Sequence, residues 1–185
     1  FLTDTHGRDH VTHAELAVTN DGKFLGFKNE TIANLGAYAR VFGTVTPTYL
    51  FGPCATGVYT IPAAYSNVKA VYTNTAPVDA YRGAGRPEAT YTIERLVEKA
   101  AMELGIDRIE IRMRNFPTEF PFKQTLVHTV DSGDYVAGLE KAKQMSDYAG
   151  FEARRKKSEA NGKLRGIGVS SYFEACGIAP SAAVM

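Results

Sequence analysis

Residues 79–105 read DAYRGAGRPEATYTIERLVEKAAMELG and divide into two parts of opposite chemistry. The second part has the pattern of a helix. Pro87 suits a first helical position, where its missing N–H would have no partner to lose. Ala89, Ile93, Leu96, Val97, Ala100, Ala101 and Leu104 fall on one face at helical spacing. Gly105 suits the residue just past the end, where a left-handed conformation closes the last turn. The first part, Gly83 and Gly85 around Ala84, is a small-residue turn. It joins that helix to the strand-like run NVKAVYTN at 67–74.

Upstream, HVTHAELAVTN at 10–20 sets Val11, His13, Glu15 and Ala17 against Thr12, Ala14, Leu16 and Val18, the period of a strand. Asn20-Asp21-Gly22 then signals a hairpin turn, because Asp-Gly readily takes the positive φ such turns need. KFLGFKNETIANLGAY at 23–38 is the returning strand. Residues 40–65, rich in Gly, Pro and Thr, read as loop with one short helix. Downstream, Asp107 is placed to cap a second helix, RIEIRMRNF. Asp131-Ser132 is placed to cap a third, with Val136, Leu139, Ala142 and Met145 on one face. FEARRKKSEANG at 151–162 reads as a solvated helix, its basic run balanced by Glu152 and Glu159. LRGIGVSSYFEA at 164–175 reads as a final strand. Strands first, several helices, then a returning strand predict an α+β fold.

Composition narrows the function. The 185 residues are 44% hydrophobic and 22% charged, with a net charge of +1, so no overall field attracts nucleic acid or an anionic membrane. No apolar run approaches the roughly 20 residues that span a bilayer. Cys54 and Cys176 are too few for a disulfide framework or a zinc site and read as reduced thiols, as in the cytoplasm. The chain begins without Met and stops in an apolar run, which suggests a segment of a longer polypeptide, residues 1–185 forming part of one domain.

The turn itself admits several chemistries. GAGRPE starts like a dinucleotide fingerprint, but Glu88 stands at the third glycine and would set a carboxylate near the pyrophosphate. No Gly-Lys-Ser/Thr follows, so a P-loop fails too. A plain strand-to-helix turn remains one reading. The other is that Arg82 and Arg86 flank exposed N–H groups at a helix start, a place for an anionic or oxo group. His6, His10 and His13 alternate faces or lie too far apart along an extended strand for a metal site. Glu174, near the end, reads as a strand-end carboxylate exposed to water.

TNTAPVDAYRGAGRPEATYTIERLVEKAAMELGIDRIEIRMRNF, together with HGRDHVTHAEL, YTIP and GIGVSSYFEACGIAPS, resembles the large subunits of molybdenum hydroxylases, the xanthine dehydrogenase, aldehyde oxidase and carbon monoxide dehydrogenase group. The collinear similarity covers nearly the whole chain, and the loop wording is similar to the form II carbon monoxide dehydrogenase-like branch. This resemblance implies a place in the molybdopterin-binding region of the catalytic subunit. It also implies a molybdenum–pterin cofactor that hydroxylates an aldehyde, N-heterocycle or similar C–H substrate with water-derived oxygen. Electrons would leave through iron–sulfur clusters to FAD on partner subunits of a larger hetero-oligomer. Ala80, Tyr81, Arg82, Gly83, Ala84 and Gly85 would then face the cofactor, with the Arg82 backbone amide beside the metal's oxygen ligand. Ala84, Cys176 and Ile178 would border the substrate pocket.

The chain also departs from the pattern. The copper-holding Cys of true carbon monoxide dehydrogenases is replaced by the stretch Gly83–Gly85. The aromatic wall of the purine and aldehyde branches is absent at Ala84, and no purine-orienting Arg stands near Leu50. The upstream glycine-rich loop, the later pterin loops and the base glutamate of the family do not occur in these residues, and Glu174 does not match that glutamate's surroundings. On this reading the 185 residues alone are inactive. The competing expectation is a non-catalytic α+β segment that binds no metal.

Overall fold

Alternation along residues 10–18 produces the first strand of the computed structural model, which describes residues 4–174. In β1 (His10–Val18), His10, Thr12, Ala14, Leu16 and Val18 turn inward while Val11, His13, Glu15 and Ala17 face out. Gly22 at φ +83° closes the hairpin, with its N–H donating to Thr19 O at 2.9 Å. β2 (Phe24–Gly36) returns antiparallel in the register His10 with Ala33 through Ala17 with Gly26. From Phe27 to Leu35 it buries every second residue, as a half-covered sheet requires.

β3 (Ala64–Tyr72) joins β2 on its other side in parallel, so the sheet order is β1-β2-β3. A parallel neighbour needs a crossover, and residues 37–63 supply it without a full α-helix. They contain a wide helical turn at Thr46–Leu50 and a tight one at Gly52–Cys54. The one short helix expected there is thus two consecutive turns.

α1 (Arg86–Leu104) lies against the sheet. Ala89, Ile93, Val97 and Ala101 are buried, and Leu96, Ala100 and Leu104 pack around them. With Phe24, Phe27, Val58, Tyr59, Ile61, Ile111 and Phe116, all of these but Ala89 form the main core, and Ala89 packs with Phe51 and Cys54 in a smaller second cluster. A fully buried Val, Leu, Ile or Phe side chain among these stabilises by about 1.5–3 kcal/mol relative to exposure. Gly105 at φ +65° ends α1, its N–H donating back to Met102 O. α2 (Arg108–Met113) is capped by Asp107, whose Oδ1 accepts from the Ile109 and Glu110 N–H groups at 2.8 and 3.2 Å. Asn115 then ties α2 to the hairpin, accepting from Phe24 N–H and donating to Gly22 O, both at 2.8 Å.

The remaining elements depart further from expectation. A small ladder, β4 (Phe122–Lys123) with β5 (Thr129–Val130), has no clear alternation behind it in the sequence. α3 (Tyr135–Met145) starts three residues after the proposed cap: Asp134, not Asp131-Ser132, accepts from Ala137 N–H at 2.9 Å. Its apolar face is only partly used. Leu139 packs on the core, whereas Val136 and Met145 are exposed. α4 (Phe151–Glu159) is solvated, with Arg155 pairing to Glu152 and Glu159 as the balanced face predicted. The final strand does not form among the described residues. Residues 163–174 run without ladder pairing, held where Arg108 and Arg112 donate to the carbonyls of Ile167 and Val169 at 2.8 and 3.0 Å. That segment meets arginines of α2 rather than a sheet edge, so its β-like composition is not expressed.

Candidate functional site

The loop between β3 and α1 is two interlocked turns. Ala84 N–H donates to Tyr81 O at 2.7 Å, and Gly83, third in that turn, has φ +90°. Positive φ at the third position marks a type II turn and favours glycine. Arg86 N–H then donates to Gly83 O at 3.2 Å across Ala84 at φ +35° and Gly85 at φ +85°. Positive φ at both central residues marks a type I′ turn. Ala84 holds this conformation against the steric preference of a Cβ, at a cost of roughly 1–2 kcal/mol.

Two walls fix the loop. On one side a Cβ on Gly85 would stand 2.5 Å from Thr46 O and 2.8 Å from Phe51 N, so the loop lies directly on the backbone of the crossover turns. On the other side residues 6–8 run beside it. His6 pairs with Val78 in a parallel bridge, and Asp79 N–H donates to His6 O at 2.9 Å. Gly7 has no room for a Cβ against Tyr81. Asp79 Oδ1 accepts from Phe42 and Ala80 N–H groups at 3.1 and 2.8 Å, tying the loop entrance to the crossover.

Ala80, Tyr81 and Arg82 remain exposed on the outer side. Neither the Arg82 nor the Gly83 N–H meets an acceptor among the described residues. These free donors, followed at once by the small residues Ala84 and Gly85, fit a polar, electron-rich group. The two arginines expected to act together do not. Arg82 is exposed, but Arg86 is engaged, its Nε donating to Glu174 Oε1 at 2.7 Å and one terminal nitrogen to Ala84 O at 3.2 Å. Glu174 is therefore an ion-pair partner of the loop rather than a bare strand-end carboxylate, and Arg86 closes the turn from inside.

A cavity of about 590 Å³ opens beside the loop between β1 and α1, lined by Arg8, His10, Pro87, Glu88, Tyr91 and Arg95 among others. His10 Nδ1 and both Glu88 carboxylate oxygens are buried there without a hydrogen-bond partner among the described residues. Burial lowers the pKa of His10, with Glu88 and Asp9 pulling the other way. The three N-terminal histidines form no metal cluster, and no group of three or more metal-ligating side chains comes together among the described residues. Cys54 is buried and its thiol is pushed up to about 11 by burial, which makes it a core residue and not a nucleophile. Cys176 and Ile178, expected at the pocket rim, lie outside the described residues.

A pairing hidden from the sequence holds α1 in place below the loop. Arg112 is fully buried and donates from Nε and a terminal nitrogen to Glu94 Oε2 at 3.0 and 2.9 Å. Tyr59 donates its hydroxyl to the other Glu94 oxygen. Burial, then the Glu94 charge, keeps that phenol well above its ordinary pKa. Glu94 follows Ile93 directly and reads as the polar flank of the helix. The available signal was Arg112, three residues after Ile109 on the apolar face of α2.

The family model described as "Molybdopterin cofactor-binding domain" matches residues 1–116, which include both turns and all of α1 and α2. The chain belongs to the molybdopterin cofactor-binding family. As a member of that family it is 40% identical over 187 residues to the carbon monoxide dehydrogenase large chain of Hydrogenophaga pseudoflava, covering 97% of this chain and 23% of that one. It is 34% identical to the 6-hydroxypseudooxynicotine dehydrogenase complex subunit gamma of Paenarthrobacter nicotinovorans, over 96% of this chain and 23% of the relative. Among solved structures, quinoline 2-oxidoreductase from Pseudomonas putida 86 superimposes with a TM-score of 0.81 at 32% identity, over 87% of this chain and 21% of that one. Reconstituted CO dehydrogenase from Oligotropha carboxidovorans gives 0.76 at 33%, over 86% and 20%. The chain thus spans under a quarter of the length of these relatives. Its relatives are molybdenum oxidoreductases, and its α+β architecture is that of a piece of their cofactor-binding region.

Proposed function

We propose that this chain serves as a segment of the catalytic large subunit of a molybdenum-dependent hydroxylase, and that the double turn Ala80–Gly85 is its cofactor-facing element. The observation that carries this reading is the pair of unpartnered N–H groups at Arg82 and Gly83, on a loop wedged between two backbone walls. When bound, the molybdenum–pterin group supplies two-electron oxidation of an activated C–H carbon with oxygen drawn from water. The chain's own contribution is preorganisation. Arg82 offers a backbone donor fixed before the ligand arrives, and such donors stabilise oxygen charge without reorganising. A Cβ at Gly83 would press on Pro87 and one at Gly85 on the crossover backbone, so the glycines let the loop sit close against both, and Ala80, Tyr81 and Ala84 would line the space beside the metal. Arg86, tied to Glu174, holds the turn.

The substrate class we assign is an aldehyde, an N-heterocycle or a similar C–H compound. The relatives named for quinoline and 6-hydroxypseudooxynicotine support it, and Gly83–Gly85 lacks a thiol for copper. Cys176 and Ile178 would join Ala84 at the pocket. Iron–sulfur and FAD subunits would carry the electrons onward in a cytoplasmic hetero-oligomer.

The test is molybdenum per polypeptide in the full-length subunit expressed with its partner subunits, comparing wild type with Gly83→Val. A Cβ at Gly83 would stand 2.5 Å from Pro87 Cγ at φ +90°, so valine cannot be accommodated without moving the loop. Near-stoichiometric metal in wild type, with metal or turnover lost in the variant, is expected. A folded wild-type protein that takes up no molybdenum under competent cofactor supply would replace this reading with a non-catalytic scaffold.

A further inference from the structure

The central peptide of a β-turn can flip, and the flip decides where its N–H points. A type I turn and a type II turn share the closing hydrogen bond but differ in the orientation of the peptide between the second and third residues. In the turn Tyr81–Ala84 that peptide joins Arg82 to Gly83. Its carbonyl accepts a hydrogen bond from the Arg8 guanidinium. In a trans peptide the C=O and the following N–H point in opposite directions, so whatever holds the Arg82 oxygen also directs the Gly83 N–H.

Two contacts hold Arg8 itself. Its guanidinium carbon lies 4.8 Å from the centroid of the Tyr81 ring. Its Nε stands 3.5 Å from Glu88 Oε2, on a side chain only 9% exposed in the first turn of α1. Its own backbone adopts φ +58°, an uncommon conformation for a residue with a Cβ. Neither Glu88 oxygen accepts a hydrogen bond among the described residues, so the Arg8 charge is what faces this buried carboxylate. One guanidinium therefore joins three parts of the site: the loop carbonyl, the aromatic ring beside it and the helix that follows.

We infer that Arg8 is a positioning residue for the site, locking the Arg82–Gly83 peptide in the type II orientation so that the Gly83 N–H is presented as a fixed donor away from Arg8. Glu88 anchors Arg8 from the helix. The inference rests on the double turn being the cofactor-facing element, and adds to it the device that sets the direction of one of its two free donors.

The experiment uses the full-length subunit in its complex and compares wild type, Arg8→Met, Arg8→Lys and Glu88→Gln. Amide hydrogen exchange is read at Ala84 and Arg86, whose N–H groups close the two turns. In Arg8→Met the released central peptide interconverts between the two turn types by way of an open turn, so these two amides are expected to exchange about tenfold faster, while Ile93–Ala101 keeps its protection, the pattern of local opening. Arg8→Lys should rescue only partly, because an ammonium cannot stack on Tyr81 and fork between two acceptors. In the metal-loaded enzyme the Mo(V) electron paramagnetic resonance signal should shift in Arg8→Met. Unchanged exchange at Ala84 and Arg86 would overturn the inference. Should Arg8→Met fail to fold, Glu88→Gln decides the matter, since it frees Arg8 without removing it: faster exchange at the two amides supports the role, and wild-type exchange refutes it. The exchange measurement needs no metal, so absence of molybdenum in wild type would refute the cofactor reading on its own, while exchange at the two amides still decides whether Arg8 holds the turn.

Discussion

Gly85 and Gly105 both sit at positive φ, at +85° and +65°, yet a methyl group added to each meets different surroundings. At Gly105 nothing lies within 4 Å of the new Cβ. Gly105→Ala therefore pays only the left-handed backbone strain, about 1 kcal/mol. At Gly85 the Cβ would press on Thr46 O and on the backbone of Leu50 and Phe51, none of which can rotate away. Gly85→Ala is expected to displace the double turn, with a loss well above about 2 kcal/mol. Thermal midpoints and molybdenum content of the full-length subunit check this. Gly105→Ala should lower the midpoint slightly and keep the metal, while Gly85→Ala should lose both. His10 offers a pH-dependent counterpart. Its folded-state pKa is lowered by burial below the ordinary 6.5, so below about 6.5 the unfolded chain takes the proton first. The stability it supports is present above that pH and is lost as pH falls towards the lowered value. His10→Gln should flatten the acid limb of the midpoint against pH, and an identical slope in both proteins would contradict the assignment.

At the scale of elements, the pairing of α1 with α2 depends on a charge placed in the core. Removing Arg112 leaves Glu94 buried without its counter-charge, a change that typically costs about 3–5 kcal/mol. Arg112→Met should accordingly be severe, while Arg112→Met with Glu94→Leu should recover much of the loss, because replacing a whole buried pair with apolar groups is often close to neutral. Chemical denaturation of the four proteins of this cycle measures the coupling, and equal damage in single and double variants would mean that Arg112 acts mainly through Arg108 O and Val169 O. The same elements show what the sequence discloses. Period-two alternation in residues 10–18, the Asp-Gly turn and the Ile93–Leu104 stripe are local patterns, and each element formed where its pattern lies. The α3 cap moved to Asp134 because three neighbouring polar residues compete for one role. The Glu94–Arg112 pair, the Arg86–Glu174 pair and the Arg8 brace are contacts across 18, 88 and 74 residues of sequence. No periodicity encodes such contacts. The double turn was legible as a glycine-rich helix entry, but the wall that forces Gly85 to be glycine is visible only once the crossover folds beneath it.

Across the whole molecule, the outer face of the sheet is divided. At one end Glu15 and Lys28 face each other across β1 and β2 with an N–O distance of 3.8 Å, an exposed pair that contributes little. At the other end Val11 lies opposite Ile32, and these two are 62% and 52% exposed. On β3, Lys69 lies beside Ile32 and Val71 continues this end of the face, whereas Tyr65 lies beside Lys28 at the charged end. An exposed apolar patch on a sheet favours association. Relatives more than four times as long provide ample further chain to cover it, since this one spans 23% of their length. The 185-residue chain expressed alone should therefore bind an apolar fluorescent dye, take up no molybdenum and show no turnover. Val11→Thr with Ile32→Lys should reduce the dye signal by removing the cross-strand apolar pair while leaving the inward face intact. In the full-length subunit the same two substitutions should instead lower the thermal midpoint, because a lysine would then enter a covered surface. If they leave the full-length midpoint unchanged, that end of the sheet is solvent-facing in the assembled enzyme and its apolar character serves no packing. Turnover by the 185 residues alone would be a stronger contradiction, since the double turn would then have to hold and use the proposed cofactor with under a quarter of the relatives' chain length.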